Sequence, residues 1–280
     1  MGEKNEKMKP LIVGFGSVGK AIYEVVRGVY PDTQWLDVKP KKIKEPIDIM
    51  HICYPASQPK KFEETTIAYI KKFNPKRITI INSTVPPGTT NRIYCATKKP
   101  IVHSPVRGLH SSLKKHIFRF VKYIGAPKRE WAEIAKEHFE SLGIECYICR
   151  SPLETELGKI LDTTQHACMI AFSQEIHRWC RELGVDFNEA VIHFNMTYES
   201  GKDPRKHPPR PMLFPDAIGG TCLIPNINLL KTKVDSKFLQ LILDSNEKRK
   251  KEMEEDITIK KEVTKIKRTV EEYYSREKSQ

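Results

Sequence analysis

Residues 11–19 read Leu-Ile-Val-Gly-Phe-Gly-Ser-Val-Gly, an apolar run that passes directly into a glycine-rich turn. The apolar run predicts a buried β-strand, and a helix from Ser17 to Val29 is predicted after the turn. The turn has the G-x-G-x-x-G spacing, formed by Gly14, Phe15, Gly16, Ser17, Val18 and Gly19. A strand, this turn and a helix in succession are typical of the dinucleotide-binding fold, where the helix N-terminus receives the pyrophosphate.

The three glycines have different predicted tasks in such a turn. Gly14 permits the tight turn, Gly16 lets a pyrophosphate approach the backbone, and Gly19 allows the helix to pack closely on the strand. Asp37 stands 23 residues after Gly14, at the end of the second predicted strand. A carboxylate there accepts hydrogen bonds from a ribose 2′-hydroxyl and repels the extra phosphate of NADP. We therefore predict NAD as the cofactor, although the nearby Lys39 narrows that preference.

Short apolar runs continue to alternate with helical stretches as far as residue 150. Further strands are predicted at residues 34–36, 47–52, 77–81, 100–103, 121–124 and 144–149, with helices at 60–73 and 129–142. About ten residues separate the second and third strands, which is too short for a helical crossover, so one strand-helix unit is predicted to be trimmed. The predicted fold class is α/β, a Rossmann-type doubly wound parallel sheet followed by an all-α second domain.

The character of the chain changes at residue 152, where a long helix from Leu153 to Leu183 is predicted. A loop at residues 200–215 and helices at 236–251 and 258–274 follow. We expect an NAD-binding domain over residues 1–151, a helical central and dimerisation domain over 152–255, and a charged C-terminal helix over 256–280. Apolar residues of that last helix repeat at spacings of three and four, which favours a face packed on the protein's own core. A short intersubunit coiled coil is the alternative for this stripe, which consists of Ile259, Val263, Ile266, Val270 and Tyr273.

Composition restricts the classes of protein that the chain can represent. It has 280 residues, 39% of them hydrophobic, and no apolar run approaches the ~20 residues of a membrane span. The charged first ten residues lack the apolar core of a signal peptide. The seven cysteines have no spacing typical of a disulfide framework, which indicates reduced thiols. Both observations predict a cytoplasmic location. The net charge of +13 admits nucleic acid as a partner, but no nucleic-acid module is recognisable and an anionic small molecule is preferred.

No metal site is predicted. Cys146 and Cys149 form a C-x-x-C pair, but they fall in a predicted strand, where alternation directs two such sulfurs to opposite faces. His103, His110 and His116 cluster in the sequence without the spacing of metal ligands.

Four further segments carry a more specific pattern. They are Asn-Ser-Thr-Val-Pro-Pro-Gly-Thr-Thr at 82–90, Glu-Leu-Gly-Lys at 156–159, Phe-Ser-Gln-Glu at 172–175 and Gly-Gly-Thr-Cys at 219–222. In this order and at these separations the chain resembles the UDP-glucose/GDP-mannose dehydrogenase family, from about residue 9 to residue 250. Asn246 also falls where the helical domain of that family often carries asparagine.

The resemblance implies a set of residue roles. The family oxidises a nucleotide-sugar alcohol to an acid in two NAD-dependent steps, through a thiohemiacetal and a thioester on a cysteine. Cys222 stands at the position of that cysteine, and Lys159 at that of the lysine that handles the substrate hydroxyl and stabilises oxyanions. Thr84 is expected near the nicotinamide or an ordered water, and Tyr54 and Pro55 are assigned to the cofactor site.

The chain also departs from the family pattern. Thr163 replaces an asparagine four residues after the lysine, Asn226 replaces an aspartate four residues after the cysteine, and Val106 replaces a glutamate. The family's C-terminal nucleotide-binding domain has no counterpart within these residues. Asn226 can orient a water but cannot take its proton, so we expect oxidation to stop at the aldehyde or ketone. Lys159, Thr163 and His166 share one face of the predicted helix and are expected to line the cleft.

The sequence is compatible with three alternative hypotheses about function. A β-hydroxyacid dehydrogenase-like enzyme needs the dinucleotide fold and a helix lysine but no thiol. A non-catalytic NAD-binding regulator is consistent with the departures from the family, and nucleic-acid binding rests on charge alone. The resemblance also implies a homodimer through the long central helix, for which we expect a face of Ala167, Ile170, Ala171 and Gln174.

Overall fold

The computed structural model describes residues 8–39, 41–109, 112–201, 211–220 and 222–277. The chain forms two compact units, Met1–Leu161 and Asp162–Gln280. Their boundary lies inside a long helix, whereas the sequence pattern places the domain boundary at residue 151. The first residues of that helix therefore belong to the first unit.

The first unit is built on a parallel sheet of five strands. The strands are β1 (Pro10–Val13), β2 (Gln34–Leu36), β3 (Ile49–Ile52), β4 (Ile78–Ile81) and β5 (Ile101–His103). Their order is β2-β1-β3-β4-β5, so the strand order reverses at β1 and leaves a crevice at the carboxyl ends of β1 and β3. The described residues between β2 and β3 contain no helix, which confirms the trimmed crossover.

Five helices cover both faces of this sheet. They are α1 (Ser17–Arg27), α2 (Pro59–Phe73), α3 (Thr89–Thr97), α4 (Leu113–Arg119) and α5 (Arg129–Ser141). One apolar cluster includes Ile12 and Phe139, and the other includes Leu11 and Phe62, as the alternation of β1 requires. The sequence did not predict α3, because Thr-Thr-Asn-Arg after a Pro-Pro-Gly turn has no helical apolar period.

Two short strands stand apart from the main sheet. β6 (Lys122–Ile124) and β7 (Cys146–Ile148) pair in parallel with each other. An isolated antiparallel bridge joins His103 of β5 to Gly125, the residue after β6, with hydrogen bonds of 2.8 and 2.9 Å. The predicted strands at residues 121–124 and 144–149 therefore form a sheet of their own, because a single bridge does not propagate a ladder.

All the described elements after β7 are helical. They are α6 (Pro152–Glu182), a π-helical segment (Asn188–His193), α7 (Phe194–Gly201), α8 (Leu223–Lys231), α9 (Lys237–Glu255) and α10 (Ile257–Glu277). These helices confirm the predicted α/β class with a helical second part. Val263, Ile266 and Val270 of α10 are buried within the chain itself, so this apolar stripe is a core face. Within the described residues, no helix has the length and apolarity that a bilayer crossing requires.

The face of α6 that was expected to pair two subunits is already covered. Ala167, Ala171 and Gln174 are buried, and Gln174 donates a hydrogen bond to the carbonyl oxygen of Asp216 at 2.7 Å. The prediction that these small residues contact a second subunit is wrong, because the second unit itself packs against them. The exposed apolar residues of α6 include Phe172 and Trp179 instead.

The first turn of α6 is tied to the first unit by a buried carboxylate. Glu156 is fully buried and accepts hydrogen bonds from the backbone N–H groups of Gly88 at 2.5 Å and Thr90 at 2.7 Å. The Thr90 hydroxyl donates a third bond to this carboxylate at 2.7 Å. Burial raises the pKa of Glu156, and the three hydrogen bonds oppose that shift. The carboxylate caps the start of α3 and thereby fixes the part of α6 that carries Lys159.

Replacing this carboxylate should weaken the first unit. The substitution Glu156→Ala leaves two buried N–H groups and a hydroxyl unpaired, and we expect it to lower the free energy of unfolding by about 2–4 kcal/mol. Urea unfolding followed by circular dichroism measures the change. Glu64→Ala, on the exposed face of α2, is the control and should stay within about 0.5 kcal/mol of the unmodified protein. Equal midpoints for Glu156→Ala and the control would contradict the role of the carboxylate.

Candidate functional site

The glycine turn between β1 and α1 combines tight packing with one open position. A Cβ on Gly14, which has φ of +90°, would lie 2.6 Å from the backbone nitrogen of Tyr54. A Cβ on Gly19 would lie 1.8 Å from the carbonyl oxygen of Gly14. A Cβ on Gly16 would meet no atom within 4 Å. The first and third glycines are thus required by the fold, while Gly16 faces free space where α1 begins.

A cavity of about 300 Å³ lies beside this turn. Its lining includes four of the residues predicted for the cofactor site, Gly14, Asp37, Tyr54 and Pro55. Asp37 is exposed at the end of β2. The Tyr54 hydroxyl lies 2.6 Å from the Thr66 hydroxyl, and burial raises the pKa of this tyrosine. The structure therefore brings together a carboxylate, an aromatic ring and the glycine turn around one space.

The other side chains of the turn are used for packing. The Phe15 ring stacks on Trp35 of β2, with centroids 4.3 Å apart, and meets Tyr23 of α1 edge-on at 5.4 Å. Val18 packs against the core of the first unit, and Ser17 is exposed as the first residue of α1. The stack of Phe15 on Trp35 supports the turn, and the sequence pattern did not predict this contact.

Thr84 lies in the loop between β4 and α3, where it is half-buried. Ser83 donates a hydrogen bond to the carbonyl oxygen of Tyr54 at 2.6 Å. The loop that carries Thr84 is consequently attached to the segment after β3, which lines the cavity. In the fold Thr84 occupies a carboxyl end of the sheet, the edge at which open α/β sheets bind ligands.

A buried polar network lies beneath these loops, and sequence reasoning did not find it. Asn82 donates a hydrogen bond to Nδ1 of His51 at 3.2 Å, and Nε2 of His51 lies 3.1 Å from Nε2 of His138. Lys122 of β6 donates to the carbonyl oxygens of Ser104 at 2.8 Å and Pro105 at 3.2 Å. The alternation of β6 was the available signal, because Lys122 and Ile124 are buried while Tyr123 is exposed.

Burial shifts the pKa values of the titratable side chains in and around this network. It lowers the pKa of Lys122 to about 7. It also lowers the pKa of His103 and His138 to about 3, and that of His51 well below its usual value. The histidines are therefore neutral at pH 7. Nε2 of His103 donates to the carbonyl oxygen of Ser83 at 3.1 Å, while its Nδ1 accepts from the Thr155 hydroxyl at 2.8 Å.

Lys159 lies on α6 within the first unit, where it is half-buried. It is close enough to Lys122 for its charge to lower the pKa of Lys122. His166, on the same helix, is exposed. Lys159 therefore lies near Lys122, the residue that binds the loops after β4 and β5.

Cys222 lies at the start of α8 in the second unit, and Thr221 before it lies outside the described residues. The backbone N–H of Asn226 donates to the carbonyl oxygen of Cys222 at 3.0 Å. The side-chain amide of Asn226 donates to the Thr163 hydroxyl, also at 3.0 Å. The two positions at which the chain departs from the family are therefore in direct contact, and both side chains are buried.

Three side chains hold the segment that precedes Cys222. Ser173 donates to the carbonyl oxygen of Leu213 at 2.8 Å, and Asn246 accepts from the backbone N–H of Ile218 at 2.7 Å. Gln174 binds the carbonyl oxygen of Asp216, as described above. The Phe-Ser-Gln-Glu segment and Asn246 thus fix the approach of the backbone to the cysteine, a role that their sequence positions alone did not reveal.

Cys146 begins β7, and Cys149 is the first residue after that strand. Cys146 and Cys149 are partly buried, and burial raises the pKa of both thiols. Among the side chains that the structure describes, no group of three or more histidine, cysteine, aspartate or glutamate residues is arranged to hold a metal ion.

Comparison with known proteins identifies relatives of both units. Residues 154–248 match the sequence model of the UDP-glucose/GDP-mannose dehydrogenase family, central domain. The chain is 29% identical over 189 residues to a UDP-N-acetyl-D-mannosamine dehydrogenase of Methanococcus maripaludis, covering 66% of this chain and 41% of that protein. It is 30% identical over 149 residues to the enzyme of the same name from Methanocaldococcus jannaschii, covering 51% and 33% of the two chains. The chain thus spans less than half the length of these curated relatives.

The fold has a close counterpart among solved structures. A UDP-D-ManNAc dehydrogenase from Pyrococcus horikoshii superposes with a TM-score of 0.72 at 18% identity, covering 86% of this chain and 69% of that one. At this identity the likeness concerns the fold. Together with the match over residues 154–248, it confirms the family resemblance inferred from the motifs.

Proposed function

We propose that the chain is an NAD-dependent oxidoreductase, because residues 154–248 match the central domain of the UDP-glucose/GDP-mannose dehydrogenase family. The proposed reaction oxidises an alcohol of an anionic, sugar-derived substrate. The observation that carries the proposal is the open position at Gly16 beside the cavity lined by Asp37, Tyr54 and Pro55. The names of the curated relatives make UDP-sugars the first substrates to test.

The residues present fit a dinucleotide. The N–H groups at the start of α1 suit a pyrophosphate that approaches across Gly16, and the exposed Asp37 carboxylate suits the two hydroxyls of an adenosine ribose. Tyr54 and Pro55 supply the apolar wall of the cavity. NAD, when bound, accepts the hydride from the substrate carbon. Thr84, at the end of β4, is placed by this proposal at the nicotinamide end.

Each proposed catalytic residue has a chemical task. Lys159 stabilises the developing alkoxide or assists removal of the hydroxyl proton, since a fixed ammonium favours that charge. Cys222 attacks an aldehyde product to give a thiohemiacetal, as a thiolate is a good nucleophile. Asn226 orients a water, but its amide donates to Thr163, and neither side chain is a general base. The chain therefore carries the groups for one oxidation, while neither Asn226 nor Thr163 supplies a carboxylate for the hydrolytic step.

The cofactor assignment makes a direct prediction. NAD should raise the melting temperature of the protein, because a ligand that binds only the folded state stabilises it. Gly16→Val should lower NAD affinity about 10- to 100-fold by occupying the pyrophosphate space. The melting temperature of the ligand-free variant should stay close to that of the unmodified protein, since the new Cβ meets no atom within 4 Å.

Isothermal titration with NAD and NADP measures both the affinity and the cofactor preference. Asp37→Ala should narrow the preference for NAD, because it removes a carboxylate that repels the 2′-phosphate. NAD binding by Gly16→Val at unmodified affinity would contradict the role of the turn. Equal affinity of the unmodified protein for NADP would contradict the role of Asp37.

A second prediction concerns the extent of oxidation. With a UDP-sugar substrate, we expect one NADH per substrate and an aldehyde, a ketone or a Cys222 adduct visible as a mass increase. Hydrolysis should be slow, because losing a general base costs ~10²- to 10⁴-fold in the assisted step. Asn226→Asp should speed acid release, and Asn226→Ala is the matched control that restores no base. Rapid release of a carboxylic acid with two NADH per substrate would contradict the prediction.

Cys222→Ser separates the remaining candidates. Unchanged single-step oxidation by this variant favours a β-hydroxyacid dehydrogenase-like reaction, which needs no thiol. NAD binding without NAD reduction, across UDP-sugars, sugar phosphates and hydroxy acids, favours a non-catalytic regulator. The regulator hypothesis is motivated by Asn226 and Thr163, which are in contact and neither of which can act as a general base.

We propose that two copies pair through the outer face of α6. Phe172 and Trp179 are exposed there, and their rings meet edge-on at 6.1 Å; Leu183, in the turn that follows α6, is also exposed. Such apolar residues on one helix face favour burial against a partner. Trp179→Glu should convert a dimer to a monomer in sedimentation at about 10 µM, a range typical of a weakened interface. Phe238→Glu, at an exposed aromatic residue of α9, should stay dimeric, and a monomeric unmodified protein would contradict the proposal.

A further inference from the structure

Lys122 is almost completely buried, with 4% of its surface exposed. Its ammonium nitrogen has three oxygen acceptors, the carbonyls of Ser104 and Pro105 and the side-chain Oδ1 of Asn82, at 2.8, 3.2 and 3.4 Å. The ring of Phe139 lies 5.1 Å away on another side. An ammonium has three protons, so this set of acceptors satisfies all of them.

The three acceptors belong to two different loops. Asn82 is the first residue after β4, whereas Ser104 and Pro105 follow β5. Because Lys122 binds the amide oxygen of Asn82, the amide nitrogen is directed at His51, which fixes the orientation of the group. The backbone N–H of Val106 also donates to the carbonyl oxygen of Asn82 at 3.2 Å, so the loops are joined by backbone and side chain.

A lysine is a costly residue at this point of the fold. Position 122 shares the buried side of β6 with Ile124, and an aliphatic side chain would fill it without desolvating a charge. Replacing a buried charge by a well-packed apolar group is often neutral or stabilising. The ammonium therefore orders the groups that it binds, Asn82, Ser104 and Pro105, and does not serve apolar packing.

We propose that Lys122 is a positioning residue of the cofactor site, whose ammonium holds the loops after β4 and β5 in one fixed arrangement. Thr84 lies two residues after Asn82, so this arrangement sets the place of the residue assigned to the nicotinamide end. The cofactor half of the inference rests on the proposed function, whereas the ordering of the two loops does not.

The protonation state of Lys122 gives the inference a second signature. Burial lowers its pKa to about 7, so ammonium and amine coexist near neutral pH. The amine has one proton fewer and gives up one of the three hydrogen bonds. The titratable groups whose charge interacts with that of Lys122 are Cys53 after β3, Cys146 of β7, Lys159 of α6, His51 of β3 and His103 of β5.

Hydrogen exchange of the ligand-free full chain tests the ordering. In Lys122→Met, protection of the segments 82–90 and 104–109 should fall about tenfold, an effect of one to two lost hydrogen bonds. Protection of β1 and β3 should stay unchanged. Lys122→Arg should recover most of the protection, and Lys115→Met, at an exposed lysine of α4, should resemble the unmodified protein. Unchanged loops, or an equal loss in every strand, would overturn the proposal.

Titration with NAD tests the cofactor half. Lys122→Met should bind NAD about five- to tenfold more weakly, with Lys122→Arg within about twofold of the unmodified protein. Failure of the unmodified protein to bind NAD refutes the proposed function, and the exchange result still decides the ordering of the loops. NAD affinity unchanged in Lys122→Met, with loosened loops, overturns the cofactor half alone.

The unmodified protein provides the measurement if Lys122→Met does not fold. After correction for intrinsic exchange rates, protection of the two loops should fall about threefold between pH 6 and pH 9, as one hydrogen bond is lost. β1 and β3 should show no matching change. Loop protection that is independent of pH across this range would overturn the proposal.

Discussion

The contact between Gly19 of α1 and the carbonyl oxygen of Gly14 sets the distance at which the first helix packs on the sheet. A Cβ at position 19 would come within 1.8 Å of that oxygen, so any other residue forces α1 away from β1. At Gly14 the backbone of Tyr54 comes equally close, because a Cβ there would lie 2.6 Å from the Tyr54 nitrogen. The cavity beside Asp37 is lined by Gly14 of this same turn, and the open space at Gly16 lies between the two tightly packed glycines in the sequence.

Buried hydrogen bonds then place the segments that carry the residues of the proposed site. In the first unit Glu156 binds the start of α3, and Lys122 binds the loops after β4 and β5. In the second unit Gln174 and Asn246 bind the backbone ahead of Cys222. Each device uses a fully or nearly buried polar side chain to satisfy backbone groups of an irregular loop. The loops are therefore ordered by side chains from regular elements.

The sequence predicts what contiguous residues determine and misses what distant residues determine. The glycine turn and Asp37 are recognisable because strand, turn and helix follow one another, so their spacing carries their geometry. Lys122 acts on residues as far as 40 positions away, and no local pattern specifies such partners. Pro225 concealed α8, where it is tolerated because it lies in the first turn. Small residues such as Ala167 suit packing within a chain as well as between chains, which is why the expected subunit face was wrong.

The buried histidines make the stability of this fold depend on pH. The pKa values of His103 and His138 lie near 3 and that of His177 near 4, while unfolding exposes rings that titrate at about 6.5. Below pH 6.5 the histidines of the unfolded chain bind protons, whereas those of the folded chain stay neutral until the pH is much lower. Stability is therefore full above that pH and is lost as the pH falls towards 3, each ring adding about 1.4 kcal/mol per pH unit. The histidines that are buried and neutral at pH 7 thus bind protons together when the chain unfolds in acid, which makes the loss of stability steep in pH.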